Sequence, residues 1–192
     1  MKRIAAIVLA GALAACGAPP SSSKTDELAA RVRVLEDERA VMRVADALDE
    51  AVDAKDWERA RSLFTDQVEA DFTSLDAENA GQVSADELVA NWRRNLHPGK
   101  TSQRSRSGEV VVINGDEATM TSQGHVRYEI PARADMNVWE GWGRFEHRFT
   151  RTPQGWRISG FKFTLTRQAG EASVRLEALA PEPTSIVREA KE

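Results

Sequence analysis

The spacing of apolar residues changes once along this chain, from a helical period to a period of two, and this change limits the possible folds. Between Asp26 and Val52 apolar residues recur every three or four positions, with charged residues between them. From about Ser105 apolar and polar residues alternate instead. Helices followed by antiparallel strands, within one domain-sized stretch, predict a single α+β domain with its own core.

The first part of the chain predicts three helices. One long helix, or two in series, starts at Asp26, and a second short helix starts at Trp57 with Asp56 as its N-cap. A third helix covers about Ala85 to Asn95, preceded by Ser84, which forms a capping box with the glutamate three residues later. The apolar positions expected to face the core are Leu28, Val32, Leu35, Val41, Ala45, Leu48 and Val52 in the first helix, and Leu63 and Phe64 in the second.

The second part predicts a sheet. One strand is expected around Val68, Ala70 and Phe72, followed by a loop before the third helix. Turn residues separate four later strands, as hairpins require. Those strands span about Ser105 to Ile113, Ala118 to Ile130, Val138 to Arg151, and Trp156 to Thr166. The charged run 168–192 contains two prolines and no sustained apolar face, and is expected to be a loosely attached, disordered tail.

Five short segments, in order and in register, resemble SnoaL-like domains of the nuclear transport factor 2-like superfamily. They are Leu35–Asp37, Asp53–Trp57, Leu63–Asp66, Asn114–Ala118 and Gly155–Ile158. The resemblance covers Leu28 to Thr166 and places the domain at 26–167. It implies a cone: a curved antiparallel or mixed sheet with three N-terminal helices packed on its concave face. Members include polyketide cyclases, ketosteroid isomerases, scytalone dehydratase, and proteins that only bind ligands or partners.

The resemblance to the dehydratase-like enzymes assigns a catalytic aspartate to Asp53 but leaves the rest of the catalytic set incomplete. The tyrosine that precedes this aspartate in those enzymes is Val52 here. Their catalytic histidine would fall near Gln103 or Arg104, and His97 lies several residues earlier. Asp53 is therefore either a general base whose pKa is raised by burial or a solvated carboxylate at a helix end.

Several other side chains are candidates for a site. Alternation places His147 on the apolar face of its strand, as a pocket acid or base or as a core histidine. Arg104 stands near a strand start, where it could meet an anionic ligand, and Trp57 opens the second helix. The aromatic residues that could line a cavity, or fill the core, are Tyr128, Trp139, Trp142, Phe145 and Trp156.

The sequence predicts no metal, no cofactor and no nucleic-acid partner. The three histidines lack metal-ligand spacing. Residues 76–87 resemble an EF-hand loop only in part, because Ala80 supplies no side-chain oxygen at the fifth place. The formal net charge is −4 and becomes about −6 if Lys2 and Arg3 are removed, which opposes general nucleic-acid binding.

The N-terminus resembles that of bacterial lipoprotein precursors. Lys2 and Arg3 precede an apolar run, and the run ends in the box Leu13–Cys16, which holds the single cysteine of the chain. This predicts a signal peptide at 1–15, a lipidated Cys16, and a flexible tether over 16–25. In Gram-negative lipoproteins, an aspartate directly after the cysteine is typical of proteins that are retained in the inner membrane. Gly17 is found here, so the outer membrane, facing the periplasm, is favoured.

Two functional hypotheses follow. The first is a membrane-anchored module of the cell envelope that binds a small apolar or amphipathic ligand, or a protein partner. The alternative is a cofactor-independent lyase or isomerase in which Asp53 removes a proton, His147 assists, and Tyr128 or Trp142 positions the substrate. A homodimer through the outer sheet face is expected from the family's relatives alone.

Overall fold

The computed structural model describes residues 21–77 and 79–179, with side chains from residue 23 onward. The predicted signal peptide, Cys16, and the predicted tail from residue 180 onward lie outside the described residues. The chain divides into two compact units, 1–33 and 34–192. Within the described residues, no helix combines the length and the apolar character that crossing a membrane requires.

The three predicted helices are present. They are α1 (Ser21–Ala54), α2 (Trp57–Ser62) and α3 (Ala85–Asn95). α1 begins five residues before the predicted start, inside the stretch expected to be a tether. Its four positions Val41, Ala45, Leu48 and Val52 are buried, as the helical spacing predicts, whereas Leu28, Val32 and Leu35 are exposed.

Both predicted caps are present, and they fix where the short helices begin. The amide of Arg59 donates to Oδ1 of Asp56 at 3.0 Å. The amide of Glu87 donates to Oγ of Ser84 at 3.2 Å, and α3 starts at the next residue after this serine. The prediction that Phe64 belongs to the second helix is wrong. Phe64 opens a strand, because it pairs in parallel with Ile158 and the Ile158 amide bonds to the carbonyl just before it.

Among the residues that the structure describes, six strands form one mixed sheet. They are β1 (Phe64–Asp71), β2 (Ala80–Ser84), β3 (Thr101–Asn114), β4 (Glu117–Glu129), β5 (Val138–Thr152) and β6 (Gly155–Gly170). Their order is β2-β1-β6-β5-β4-β3, with β1 and β6 parallel and the other neighbours antiparallel. β2 lies in a stretch predicted to be a loop, and β3 begins four residues earlier than predicted.

The predicted fold class is confirmed as an α+β fold with a curved mixed sheet. Register shifts interrupt the pairing of β1 with β6, of β3 with β4, and of β5 with β6. Such irregularities bend the strands they interrupt. The alternation predicted for β5 is also present, because Phe145, His147 and Phe149 are buried while Arg144 and Glu146 are exposed.

A fourth helix corrects the predicted helix count and the predicted tail. α4 (Ala172–Leu176) follows β6, and Val174 within it is completely buried. Gly170 has a φ of +78°, which allows the chain to leave β6, and the next amide bonds to the carbonyl of Val138. Residues 168–179 are therefore folded. The sequence does not predict α4, because a single buried valine among charged residues has no recognisable period.

Candidate functional site

A cavity of about 260 Å³ opens between the sheet and α3. Its volume is slightly below the range of about 300–1,000 Å³ that ligand pockets commonly span, so it suits a small molecule. Seven aromatic side chains dominate its wall. They are Phe72, Trp92, Tyr128, Trp139, Phe145, Phe161 and Phe163. The aliphatic lining comes from Leu75, Leu88, Leu96 and Val126, and the polar lining from Asp76, Asn79, Asn91, Asn95, Arg104 and Arg175.

Two arginines and two aromatic rings meet at one part of this wall. The rings of Tyr128 and Trp139 lie 5.4 Å apart on neighbouring strands. The guanidinium of Arg104 is 5.9 Å from the Tyr128 centroid, and that of Arg175 is 5.9 Å from the Trp139 centroid. Cations at this distance from aromatic faces are attracted by the ring quadrupole. The cavity therefore combines an apolar body with a positively charged region.

Asp53 lies at the C-terminal end of α1, bound to β3 by three hydrogen bonds. Its Oδ1 accepts from Nη1 of Arg104 at 2.6 Å and from Oγ of Ser102 at 2.8 Å, and its Oδ2 accepts from the backbone amide of Arg104 at 2.7 Å. The side chains of Arg104 and Asp53 are 10% and 23% exposed. Asp53 is thus not a solvated carboxylate, and both of its oxygens are engaged by donors of the protein.

His147 lies in the core and does not line the cavity. It is 1% exposed, and its ring packs edge-on against Phe161 with centroids 4.8 Å apart. Neither ring nitrogen has a hydrogen-bond partner among the described residues. Burial, helped by the nearby charge of Arg106, lowers the pKa of His147 from 6.5 to about 3. His147 is therefore a neutral core residue near pH 7, without the hydroxyl or carbonyl partner that a core histidine usually has.

A second buried polar group joins α1 to β3 near His147. The Arg106 side chain is 4% exposed, its Nη2 donates to Oδ1 of Asp46 at 2.6 Å, and its Nη1 lies 3.4 Å from Oδ2 of Asp49. Burial raises the pKa of Asp49 to about 6, and the opposing charge of Arg106 only partly offsets this. Asp49 was not a sequence candidate, because its burial depends on how α1 lies against β3.

The comparison with known families identifies this architecture. A family model described as a SnoaL-like domain matches residues 33–162. The chain belongs to the SnoaL-like family. No curated protein sequence matches this SnoaL-like chain significantly.

Solved structures share the fold of this SnoaL-like domain at low sequence identity. The Kfla4162 protein from Kribbella flavida is 22% identical, covers 71% of this chain and 95% of its own, and has a TM-score of 0.66. A protein from Novosphingobium aromaticivorans provisionally named a scytalone dehydratase is 13% identical, with 82% and 97% covered and a TM-score of 0.63. An NTF2-like protein with a cystatin-like fold from that organism is 21% identical, with 77% and 92% covered and a TM-score of 0.58.

The SnoaL-like domain brings together some of the predicted ligand-binding residues and separates others. Tyr128, Phe145 and Arg104 line the cavity. Trp142 does not, because it stands an odd number of residues from both Trp139 and Phe145 and so projects from the opposite face of β5. There its ring stacks on His125 and lies 3.8 Å from the Arg167 guanidinium. Trp57 packs beside the core and is also absent from the cavity wall.

Sequence reasoning missed two cations at the site, Arg175 in α4, which follows the residues that the family model matches, and Lys100. Arg175 of α4 lines the cavity, and Nδ2 of Asn95 donates to its backbone oxygen at 2.9 Å. Lys100 is completely buried nearby, donates from Nζ to the backbone oxygen of Glu177, and lies 5.7 Å from the Tyr128 ring centroid. Burial lowers the pKa of Lys100 to about 8. The only available sequence signal was the apolar pair Val174 and Leu176, which is too short to predict a helix.

Proposed function

We propose that this SnoaL-like domain is a ligand-binding module of the cell envelope, which holds a small apolar or amphipathic molecule in the cavity between sheet and α3. The observation that carries the proposal is the state of Asp53. This carboxylate, the base expected from the dehydratase-like relatives, is bound on both oxygens by Arg104 and Ser102 beside an aromatic cavity. The lining is suited to burying apolar surface, which drives ligand binding.

The alternative, a cofactor-independent lyase or isomerase, has weaker support from the geometry. A general base must come within hydrogen-bond reach of the proton that it removes. Asp53 is not among the residues that line the cavity, and neither is His147, whose low pKa also keeps it from holding a proton near pH 7. Gln103 and Arg104 are the residues near the place expected for a catalytic histidine, and Arg104 binds Asp53 as a fixed positive charge.

Filling the cavity should weaken the binding of a neutral aromatic probe. Val126 lines the cavity and is 5% exposed, so Val126→Phe would place a ring in the space that a ligand needs. With 2-naphthylmethanol as probe, titration calorimetry should show saturable binding to the unmodified protein. Binding to the variant should be at least about tenfold weaker.

The matched control is the same exchange outside the cavity. Val112 on β3 is 58% exposed, so Val112→Phe should bind the probe as the unmodified protein does. Circular dichroism spectra that match in the far ultraviolet would show that both variants are folded. The cavity proposal would be refuted if the unmodified protein failed to bind, or if both variants bound the probe equally well.

The envelope location is the second part of the proposal, and it depends on the resemblance of residues 1–16 to lipoprotein precursors. Cys16→Ser removes the only thiol that could carry lipid, so the protein should leave the membrane fraction and become soluble after expression in a Gram-negative host. The neighbouring change Ala18→Ser should leave it in the membrane fraction. Equal membrane association of both variants would contradict lipid anchoring.

A further inference from the structure

Arg175 differs from the other arginine of the cavity wall in having no charge partner among the described residues. Arg104 is paired with Asp53, so its charge is balanced within the protein. For Arg175 the structure records no ion pair with any described residue, and its Nε is buried without a hydrogen-bond partner. A buried N–H donor without an acceptor is costly, and a carboxylate is an acceptor that a guanidinium binds strongly.

The surroundings of Arg175 add positive charge rather than remove it. Lys100 is completely buried, and its pKa is lowered by this burial and then by the charges of Arg133 and Arg175, although the charge of Glu177 raises it. The carboxylate of Glu177 is engaged elsewhere, since it accepts from His97 at 2.9 Å and from Arg133 at 2.5 Å. Asp76 also lines the cavity, from the connection between β1 and β2, and has an interaction of its own.

On the basis of the proposed ligand-binding function, we infer that the cavity takes a small aromatic carboxylate, whose rings lie among the aromatic side chains and whose carboxylate pairs with Arg175. The planar guanidinium presents its donors in a fork that matches the two oxygens of a carboxylate. Trp139 lies below that guanidinium, with its Nε1 donating to Gln168 at 2.9 Å, so the ring is held in place. Charge recognition and ring stacking thus meet at one place on the wall.

The inference is tested with two probes that differ in one group. 2-Naphthoate carries a carboxylate at neutral pH, and 2-naphthylmethanol has the same rings with a neutral hydroxymethyl group. Calorimetry at low salt should show that the unmodified protein binds the carboxylate at least about tenfold more tightly than the alcohol. Arg175→Met, which keeps most of the apolar stem and loses the charge, should remove this preference, so that the affinities of the variant for the two probes lie within about threefold of each other.

Two control variants make the result specific. Arg167→Met makes the same exchange at an arginine that also stacks on a tryptophan, but on the outer face of the sheet, and it should keep the preference for naphthoate. Arg175→Lys should keep part of it, because the charge remains while the forked donors are lost. If Arg175→Met fails to fold, the preference for naphthoate over the alcohol is compared between Arg175→Lys and Arg167→Met. A weaker preference in Arg175→Lys would show that the donor geometry at this position matters.

The outcomes separate the two proposals. Equal affinity of the unmodified protein for both probes would overturn the carboxylate inference while leaving the cavity function in place. An unchanged preference for naphthoate in Arg175→Met would do the same. Failure of the unmodified protein to bind either probe would instead overturn the cavity function, and the inference with it.

Discussion

Replacing Asp53 by Asn is expected to lower the free energy of unfolding by about 3 kcal/mol. The substitution leaves Arg104, whose side chain is 10% exposed, as a buried cation that has lost its counter-charge. Removing one partner of a buried pair is costly because the remaining charge stays desolvated. For a domain of this size the melting temperature should fall by about 6–12 °C. Urea denaturation followed by circular dichroism would measure the change.

Glu50→Gln is the control for this prediction. Glu50 is also an α1 carboxylate paired with an arginine, at 2.9 Å, but the side chains of Arg59 and Glu50 are 46% and 66% exposed, so no buried charge is left behind. Its loss should cost less than about 1 kcal/mol. The double variant Asp53→Asn with Arg104→Met should recover part of the stability lost in the single variants, since no uncompensated charge remains.

The same measurement separates binding from catalysis as the role of Asp53. Catalytic groups are often held at a cost in stability, so their replacement is neutral or stabilising. A stable Asp53→Asn protein would therefore contradict the structural pairing and favour the lyase or isomerase alternative. A strongly destabilised one would agree with Asp53 acting as the counter-ion that fixes Arg104 at the cavity.

The pairing of Asp53 with Arg104 also shows what the sequence could and could not predict. The family resemblance assigned Asp53 and placed the expected histidine near Gln103 or Arg104, and the absence of that histidine was visible in the sequence. The contact of Asp53 with Arg104 was not, because it depends on β3 starting at Thr101 rather than Ser105 and on how α1 lies against that strand. Packing of one element on another overrides local patterns and leaves little trace in a single sequence.

Local periodicity succeeded where one face of a strand is buried and the other is not. In β5 it placed Phe145 and His147 on the inner side, and the same alternation places Trp142 outside. It failed at α4, where one buried residue, Val174, anchors a five-residue helix that brings Arg175 to the cavity. The alternation of β5 was thus accessible to sequence reasoning, whereas the unpaired arginine of the cavity wall came from the segment expected to be a tail.

His147 and Asp49 are expected to give the domain two opposing responses to acid. The pKa of His147 is depressed to about 3, so its contribution to stability is present above pH 6.5 and is lost as pH falls towards 3. The pKa of Asp49 is raised to about 6, so its contribution is present below pH 3.8 and is lost as pH rises through 6. Between pH 6.5 and 3.8 the two effects largely cancel in the unmodified protein.

Single substitutions should reveal each response with opposite sign. His147→Leu removes the histidine whose pKa is depressed, so only the response of Asp49 remains. The unfolding free energy of this variant should increase by about 3 kcal/mol as pH falls from 6 to 3.8. Asp49→Asn removes the carboxyl group whose pKa is raised, so only the response of His147 remains. The unfolding free energy of this variant should decrease by about 4 kcal/mol as pH falls from 6.5 to 3.8. Urea midpoints measured across this interval give both slopes.

Above pH 4.5, the interval separates these two groups from the ion-paired carboxylates, because Glu177, whose pKa is lowered from 4.5, loses its contribution only below that pH. Asp71, whose pKa is lowered to about 2 by hydrogen bonds from Lys162 and Thr73, loses its contribution only below pH 3.8. His125→Leu is the control, because His125 lies on the outer face beside Glu140 and its removal should leave the balance of His147 and Asp49 intact. Slopes of the same sign in His147→Leu and Asp49→Asn would contradict the burial of one or both groups. Slopes of opposite sign would mean that the core beside the cavity keeps a neutral imidazole near pH 7, which removes His147 as a proton donor there.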